Sequence, residues 1–469
     1  MLSLGGALAA RLLQLVLGFI NILLISRYLG PQQYGNYTVA VNFVLMFVPF
    51  IDLSLNHVIT REITQNGSRN LSLIKGAFLI RFIVFLILLP VIYFSSGYFT
   101  SNGSDLICLI LVYSVFLINY CFSSASSFFI ANYQLEFPSA ASAAVNIVNT
   151  LSIVISVYFS LQLWIILLSQ AFFPLLGSLI IFLKVQKVTE KVSLTVEQCR
   201  FCLNEVKYLA LAGIFVNIYF RINSSVVFYH LGAESAGLFN AAYKFTDLLN
   251  PFISVLMMTF FPMINEIISG KENNVSVNDI LTAMLMTGAL FSIIVFSFPE
   301  IILKICYGDE FKKASSALRI LSLAYISIFS GNVAGFLIVA HRMQRQYFFI
   351  SVIAAVFNIT ALSLLIPVYG ITGAAVTSAA TEFISLGTSF LLLIRQKCYF
   401  PESRVSRAAL MSITAIAVSS VNLMTIRSSF ISFLIVLLFA AAGWKYRVIA
   451  PSLLNKILYG RRIGYNTNS

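Results

Sequence analysis

Apolar runs of about twenty residues follow one another along almost the whole chain, separated by short polar breaks. A helix of that length crosses the roughly 30 Å hydrocarbon core of a bilayer. Fourteen candidate spans can be drawn: 4–26, 36–59, 77–95, 105–131, 139–160, 162–183, 205–230, 236–265, 280–306, 314–340, 347–366, 369–394, 405–424 and 427–446. The pattern predicts an all-α polytopic membrane protein. Only 10% of residues are charged, against about 25% in a soluble domain, and no hydrophilic stretch is long enough for a separate soluble domain. Several breaks carry turn residues: Gly97 with Asn102-Gly103, Gly270 with Asn273-Asn274, and Pro367 with Gly370.

A net charge of +13 could suggest nucleic acid, but its placement argues otherwise. With the N-terminus inside, alternate loops and the C-terminal tail hold 20 of the 30 Lys and Arg, and the opposite loops hold 5. That is the positive-inside pattern. It predicts a multi-pass membrane protein with both termini cytoplasmic, an even number of spans and no nucleic-acid partner. The first apolar run lacks a signal-peptide layout and reads as an uncleaved span.

The segment Arg27-Tyr28-Leu29-Gly30-Pro31-Gln32-Gln33-Tyr34-Gly35 returns, 202 positions on, as Tyr229-His230-Leu231-Gly232-Ala233-Glu234-Ser235-Ala236-Gly237. At the same offset Asn21 falls on Asn223, Ala40 on Ala242, Phe43 on Phe245, and Pro49-Phe50-Ile51 on Pro251-Phe252-Ile253. Glycine and proline have backbone reasons for their positions, so these matches indicate a duplicated half. The organisation read from it is an N-lobe over 1–183, a cytoplasmic linker over 184–204, a C-lobe over 205–394, and two extra helices with a basic tail over 395–469.

Charges at bilayer depth are costly and tend to mark function. The candidates are Arg11, Asp52, Arg81, Arg221, Lys244, Asp247, Arg319 and Glu382. Helical spacing puts Arg11, Gln14, Gly18 and Asn21 on one face of span 1, and Gly213, Asn217, Arg221 and Ser224 on one face of span 7. Asn42, Pro49, Asp52 and Asn56 share a face of span 2, and Asn240, Lys244, Asp247, Pro251 and Ser254 a face of span 8. These stripes predict a hydrated cavity with cations at Arg11, Arg221 and Lys244. The polar candidates Gln14, Asn21, Asn217 and Asn240 serve either that cavity or helix–helix packing. Lys244 and Asp247 either neutralise each other or meet the ligand. Asp52, Asp247 and Glu382 are the candidate carriers of a coupling proton or cation. Arg81 and Arg319 are expected near span ends, snorkelling to the interface.

Excess cations suggest an anionic ligand, and Arg can grip phosphate oxygens with two parallel N–H groups. Enzyme chemistry finds little support. There is no phosphate-loop motif, and His57, His230 and His341 have no metal-ligand spacing. Cys199-Arg200-Phe201-Cys202 lacks a second ligand pair for a structural zinc. No metal and no cofactor is expected.

The run Ser26-Arg27-Tyr28-Leu29-Gly30-Pro31 with Tyr34-Gly35 resembles the signature after the first helix of the polysaccharide-biosynthesis flippases. These are the O-antigen and capsule repeat-unit exporters of the multidrug/oligosaccharidyl-lipid/polysaccharide (MOP) superfamily. Asp52-Leu53-Ser54-Leu55 resembles the family's Asp-Leu-Gly-Leu, with Ser54 in place of Gly. Phe261-Pro262 with Glu266, Tyr307-Gly308-Asp309-Glu310-Phe311, and Pro367-Val368-Tyr369-Gly370-Ile371-Thr372-Gly373 resemble later family segments in order. The resemblance implies two six-helix lobes in a V plus two C-terminal helices. It also implies translocation of undecaprenyl-diphosphate-linked oligosaccharide from the cytoplasmic to the periplasmic leaflet by alternating access. Coupling would come from protons, a monovalent cation or the membrane potential, and a polysaccharide polymerase with its chain-length machinery would be the implied partner. Arg27, Gly30 and Gly35 match the signature at the outer mouth. A flippase for the peptidoglycan precursor, a cation-coupled drug exporter and a membrane polymerase or ligase are the alternative readings.

Overall fold

Three glycines decide where the longest helices fold back. The computed structural model describes residues 2–66, 72–97, 104–132, 134, 136–189, 196–268, 275–425 and 429–445, and every regular element among them is helical. The stretches Leu2–Leu45, Val196–Ile268 and Gln344–Arg395 are each interrupted once, at Gly30 (φ 65°, ψ 175°), Gly232 (φ 81°, ψ −177°) and Gly370 (φ 58°, ψ −138°). These dihedrals crowd a Cβ, so glycine adopts them at little cost. Pro31 follows directly, at the first position of the new helix, where its missing N–H is not needed. Across Gly232, Asn240 Nδ2 donates to Ser224 Oγ at 2.7 Å; across Gly370, Asn358 Nδ2 donates to Thr381 Oγ1 at 3.1 Å. Partners nearly equidistant from the glycine mean that the two halves run antiparallel. Gly30 and Gly232, matched in the sequence repeat, share one conformation, so the repeat is structural.

In chain order the helices are α1 (Leu2–Leu45), α2 (Val48–Asp52), α3 (Leu55–Asn66), α4 (Ser72–Ser96), α5 (Ser104–Ser114), α6 (Phe116–Phe122), α7 (Ser126–Ala131), α8 (Glu136–Tyr158) and α9 (Leu163–Thr189). There follow α10 (Val196–Ile268), α11 (Val277–Ser297), α12 (Pro299–Tyr307), α13 (Ser315–Ala340), α14 (Gln344–Arg395), α15 (Ser403–Thr425) and α16 (Ser429–Lys445). With α1, α10 and α14 divided at their glycines, each of the fourteen expected spans coincides with helical structure. Exposed Leu79, Ile83, Leu86 and Ile87 form one outer face of α4, and Ala77, Arg81, Phe85, Leu88 and Ile92 its buried face. In a bilayer the outer face is solvated by lipid tails, so its exposure carries no penalty.

The second span is broken twice. Pro49 opens α2, and Leu53 (φ 48°) and Ser54 (φ 54°) both take the left-handed conformation before α3. Left-handed backbone costs a non-glycine residue about 1–2 kcal/mol, which accounts for glycine at the Ser54 position of the motif it resembles. Ser54→Gly is expected to raise the thermal midpoint of the detergent-solubilised protein. An unchanged or lower midpoint would show that the serine side chain offsets the strain.

The chain divides into two compact units: Met1–Asn240 with Cys306–Phe311 and Ile359–Ile371, and Ala241–Ile305 with Lys312–Asn358 and Thr372–Ser469. In the first, Leu55, Ile59, Ile74, Ala125, Phe129 and Val185 join α3, α4, α7 and α9 in one core. In the second, α15 and α16 pack on α11 through Leu285, Ala289, Ile293, Ala408 and Phe439. The start of α11 is tied down by a capping box between Ser276 and Asp279, and Arg404 Nη1 reaches Asp279 Oδ1 at 3.0 Å. Beside it, the Tyr399 hydroxyl donates to Asn278 Oδ1 at 2.6 Å. Burial, and then the nearby Glu402 charge, push this phenol above its ordinary pKa, which keeps it a donor.

Candidate functional site

The half-buried Arg221, on the first half of α10, is fixed by a chain of amides. Its Nη1 donates to Asn42 Oδ1 at 2.8 Å, Asn42 Nδ2 donates to Asn240 Oδ1 at 3.0 Å, and Asn240 Nδ2 donates to Ser224 Oγ at 2.7 Å and Ala236 O at 2.8 Å. Asn240 and Ser224 are buried. Three helical segments are therefore joined through side chains that helical spacing had placed on polar faces. Asn240 bridges the two halves of α10 and, through Asn42, is linked to the Arg221 guanidinium. Asn21 Oδ1 and Asn217 Oδ1 are buried and accept no hydrogen bond from the protein. Gln14 is half-buried on α1.

Lys244 and Asp247 pair on the second half of α10, with Nζ to Oδ2 at 3.3 Å and side chains 34% and 15% exposed. Glu382 lies on the second half of α14 within electrostatic reach of Tyr347. Arg11 falls in α1, but its side chain lies outside the described residues, as do those of Cys199, Cys202, Phe261 and Pro262. Among the described residues, no group of three or more His, Cys, Asp or Glu is placed to hold a metal.

Arg81 does not snorkel. It is fully buried, and its guanidinium donates to Asp52 Oδ1 at 2.8 Å, Asp52 O at 2.9 Å, Ser123 Oγ at 2.9 Å and Asn56 Oδ1 at 3.2 Å. The expectation failed because α4 begins at Ser72, five residues before the apolar run suggested, so Arg81 sits well inside the helix. The break after Asp52 frees a backbone carbonyl at membrane depth, where an unsatisfied polar group costs several kcal/mol. Arg81 satisfies that carbonyl and neutralises the adjacent carboxylate at once. Asp52, a candidate ion carrier, is thus held in an ion pair, its side chain 32% exposed. Arg319 directs Nε to Phe296 O at 3.4 Å.

Two of the sequence motifs, 27–35 and 307–311, meet in the first unit together with the repeat copy of the former. Arg27 Nε donates to Cys306 O at 3.2 Å, and the buried Tyr34 ring lies 6.0 Å from Tyr307 and 5.8 Å, edge-on, from Phe311. The matched glycines Gly35 and Gly237 cross there in a reciprocal contact. A Cβ on Gly35 would stand 1.8 Å from Ala233 O, and one on Gly237 would stand 1.9 Å from Pro31 O. Ala233 is the repeat counterpart of Pro31, so the two approaches are related by the duplication itself.

The family profile for polysaccharide biosynthesis proteins matches residues 6–268, more than half of the chain. The chain belongs to the polysaccharide biosynthesis protein family. A candidate O-antigen transporter of Escherichia coli strain K12 is 24% identical over 206 residues, 43% of this chain and 49% of that protein. Agl15 of Haloferax volcanii, a candidate low-salt glycan biosynthesis flippase, is 28% identical over 188 residues, 39% of each chain. The alignments span about half the length of the first relative and two-fifths of the second. Solved structures extend the likeness to nearly the whole fold. The lipid II flippase MurJ, in an inward closed conformation, superposes with a TM-score of 0.70 at 16% identity, covering 94% of this chain and 99% of that one. An inward-facing multidrug transporter of the MATE family gives 0.65 at 13% identity, covering 86% and 98%. The fold is the one shared by these MurJ and MATE structures, and the protein is a multi-pass membrane protein.

Sequence reasoning about this family member missed the aromatic residues around its cation. Tyr113 stacks on Phe116 at 5.3 Å, and Phe116 meets Tyr120 edge-on at 5.7 Å. Both tyrosines lie within electrostatic reach of Arg221. Nearby, the Tyr37 hydroxyl donates to Gln170 Oε1 at 2.7 Å. The spacing 113, 116, 120 is one helical face and was available as a signal. In a chain with 42 Phe and 21 Tyr it did not stand out.

Proposed function

We propose that the protein is a flippase that moves an undecaprenyl-diphosphate-linked oligosaccharide from the cytoplasmic to the periplasmic leaflet of the bacterial inner membrane. The observation that carries this reading is Arg221, a half-buried guanidinium at bilayer depth whose Nη1 is fixed by Asn42. A pre-oriented guanidinium suits diphosphate oxygens, and Lys244 and Arg11 add cations on matching helix faces. The polar stripes supply a hydrated route, so the sugars avoid hydrocarbon while the lipid tail stays in it. Two lobes, 1–183 and 205–394, joined by the 184–204 linker, alternate access to the route. Both termini are cytoplasmic by the positive-inside bias. An inside-negative potential favours outward movement of negative charge by about 2.3 kcal/mol per charge per 100 mV. Asp247 and Glu382 are the candidates for additional coupling, and a polymerase with its chain-length machinery would receive the product.

Leaflet-selective labelling of the lipid-linked oligosaccharide in proteoliposomes tests the reading. Arg221→Ala is expected to slow translocation at least tenfold, Arg221→Lys to keep part of the rate, and the triple Arg11, Arg221 and Lys244 to Ala variant to abolish it with insertion intact. Wild-type rates in the triple variant would remove the site assignment. In the host, deletion should leave the oligosaccharide at the inner leaflet. The likeness in fold to a lipid II flippase makes the peptidoglycan precursor the second reading, which loss of viability on depletion would favour.

A further inference from the structure

The second unit contains a cavity of about 640 Å³ that the transport reading leaves unused. It lies among α11, α13, the second half of α14, and α15, and its walls are apolar, with Leu285, Ile326, Leu386, Phe390 and Ile416 among them. Three hydroxyls line it: Ser412 Oγ donates to Ala408 O, the Tyr399 hydroxyl donates to Asn278, and the buried Ser330 Oγ has no hydrogen-bond partner among the described residues. It opens sideways through Phe383, Ile394 and Ile413, which are 45%, 41% and 64% exposed on the apolar surface of the bundle.

One end of the cavity is basic. Tyr399, Pro401 and Val405 line it there, and the same connection from α14 to α15 carries exposed Arg395, Lys397, Arg404 and Arg407. Its carboxylates are Glu402, exposed, and Asp279, buried under Arg404. The other end reaches Ala417, fourteen residues along α15 from Ser403. That is about 21 Å at 1.5 Å per residue, enough to take an acyl chain through one leaflet of a core about 30 Å thick. An apolar slot one leaflet deep, open to lipid and crowned with cations, has the features of an anionic phospholipid site.

We infer that this cavity binds a phospholipid of the inner leaflet by one acyl chain, with its anionic headgroup held by Arg395, Lys397 and Arg407. The bound lipid fills the space between α15 and the helices beneath it, so it fastens the C-terminal pair to the second unit. The site is separate from Arg221 and does not depend on the transported substrate.

Native mass spectrometry of the full-length protein, titrated with phosphatidylglycerol and with phosphatidylcholine, tests this. Wild type is expected to retain one phosphatidylglycerol at least fivefold more tightly than phosphatidylcholine. Lys397→Gln with Arg407→Gln, both exposed positions, should erase the preference, and Ala417→Phe should lower retention of both lipids by filling the slot. Equal binding of the two lipids by wild type would overturn the inference, as would retention unchanged in both variants. Undecaprenyl phosphate displacing phosphatidylglycerol in competition would also overturn it and assign the slot to the substrate's tail.

Discussion

Gly35→Ala is expected to lower the thermal midpoint and to cut the proposed export at least tenfold. The new methyl would stand 1.8 Å from the carbonyl oxygen and 2.7 Å from the carbonyl carbon of Ala233. Both atoms belong to the backbone of a helix, so no side chain can swing aside and the helices have to part. Overpacking of this kind costs about 1–3 kcal/mol, and parting also disturbs Tyr34 against Phe311 and Tyr307. Gly237→Ala should behave alike, because Pro31 O faces it at 1.9 Å. The double variant should be little worse than either single one, since a crossing already opened has room for the second methyl; neighbours that share one backbone shift are not additive. Export at wild-type rate with an unchanged midpoint in Gly35→Ala would show that the contact is dispensable.

Arg81→Ala should be the most destabilising single change in the first unit. Removing one partner of a buried ion pair typically costs about 3–5 kcal/mol. Here the loss also uncovers Asp52 O, the carbonyl that the broken helix cannot satisfy itself. A large fall in folded, detergent-extractable protein is expected, measured by thermal unfolding and gel filtration. Arg81→Leu combined with Asp52→Asn should recover part of the loss, because no charge is then left buried. If Asp52 instead served as an ion carrier, Asp52→Asn would block export at wild-type stability. That outcome, with a stable Arg81→Ala, would reverse the structural assignment.

The sequence was most informative where the backbone constrains residue choice. Gly30, Gly232 and Gly370 were visible as repeat or turn residues, and all three adopt positive φ. Asn42, Arg221 and Asn240 were visible because polar residues stand out at helical spacing in an apolar chain. Arg81 was misread for the converse reason: α4 is apolar on every side, so periodicity could not separate its buried face from its lipid face. The boundary error then placed the charge near water. The Gly35–Gly237 crossing was out of reach, since equivalence in a repeat does not reveal that the equivalent residues touch. Nor could the aromatic residues around Arg221 be picked from so many others.

The Arg81–Asp52 pair also bears on how the chain is made. Asp52 leaves the ribosome 29 residues ahead of Arg81, so the acceptor is already in or near the bilayer when α4 is released to it. An isolated Arg at mid-helix adds about 2.5–3.5 kcal/mol to insertion, which the strongly apolar remainder of α4 can offset only in part. Release of α4 beside its predecessor lets the guanidinium exchange water for its final partners in one step. The order of synthesis thus lowers a barrier that the same helix, synthesised alone, would face unaided.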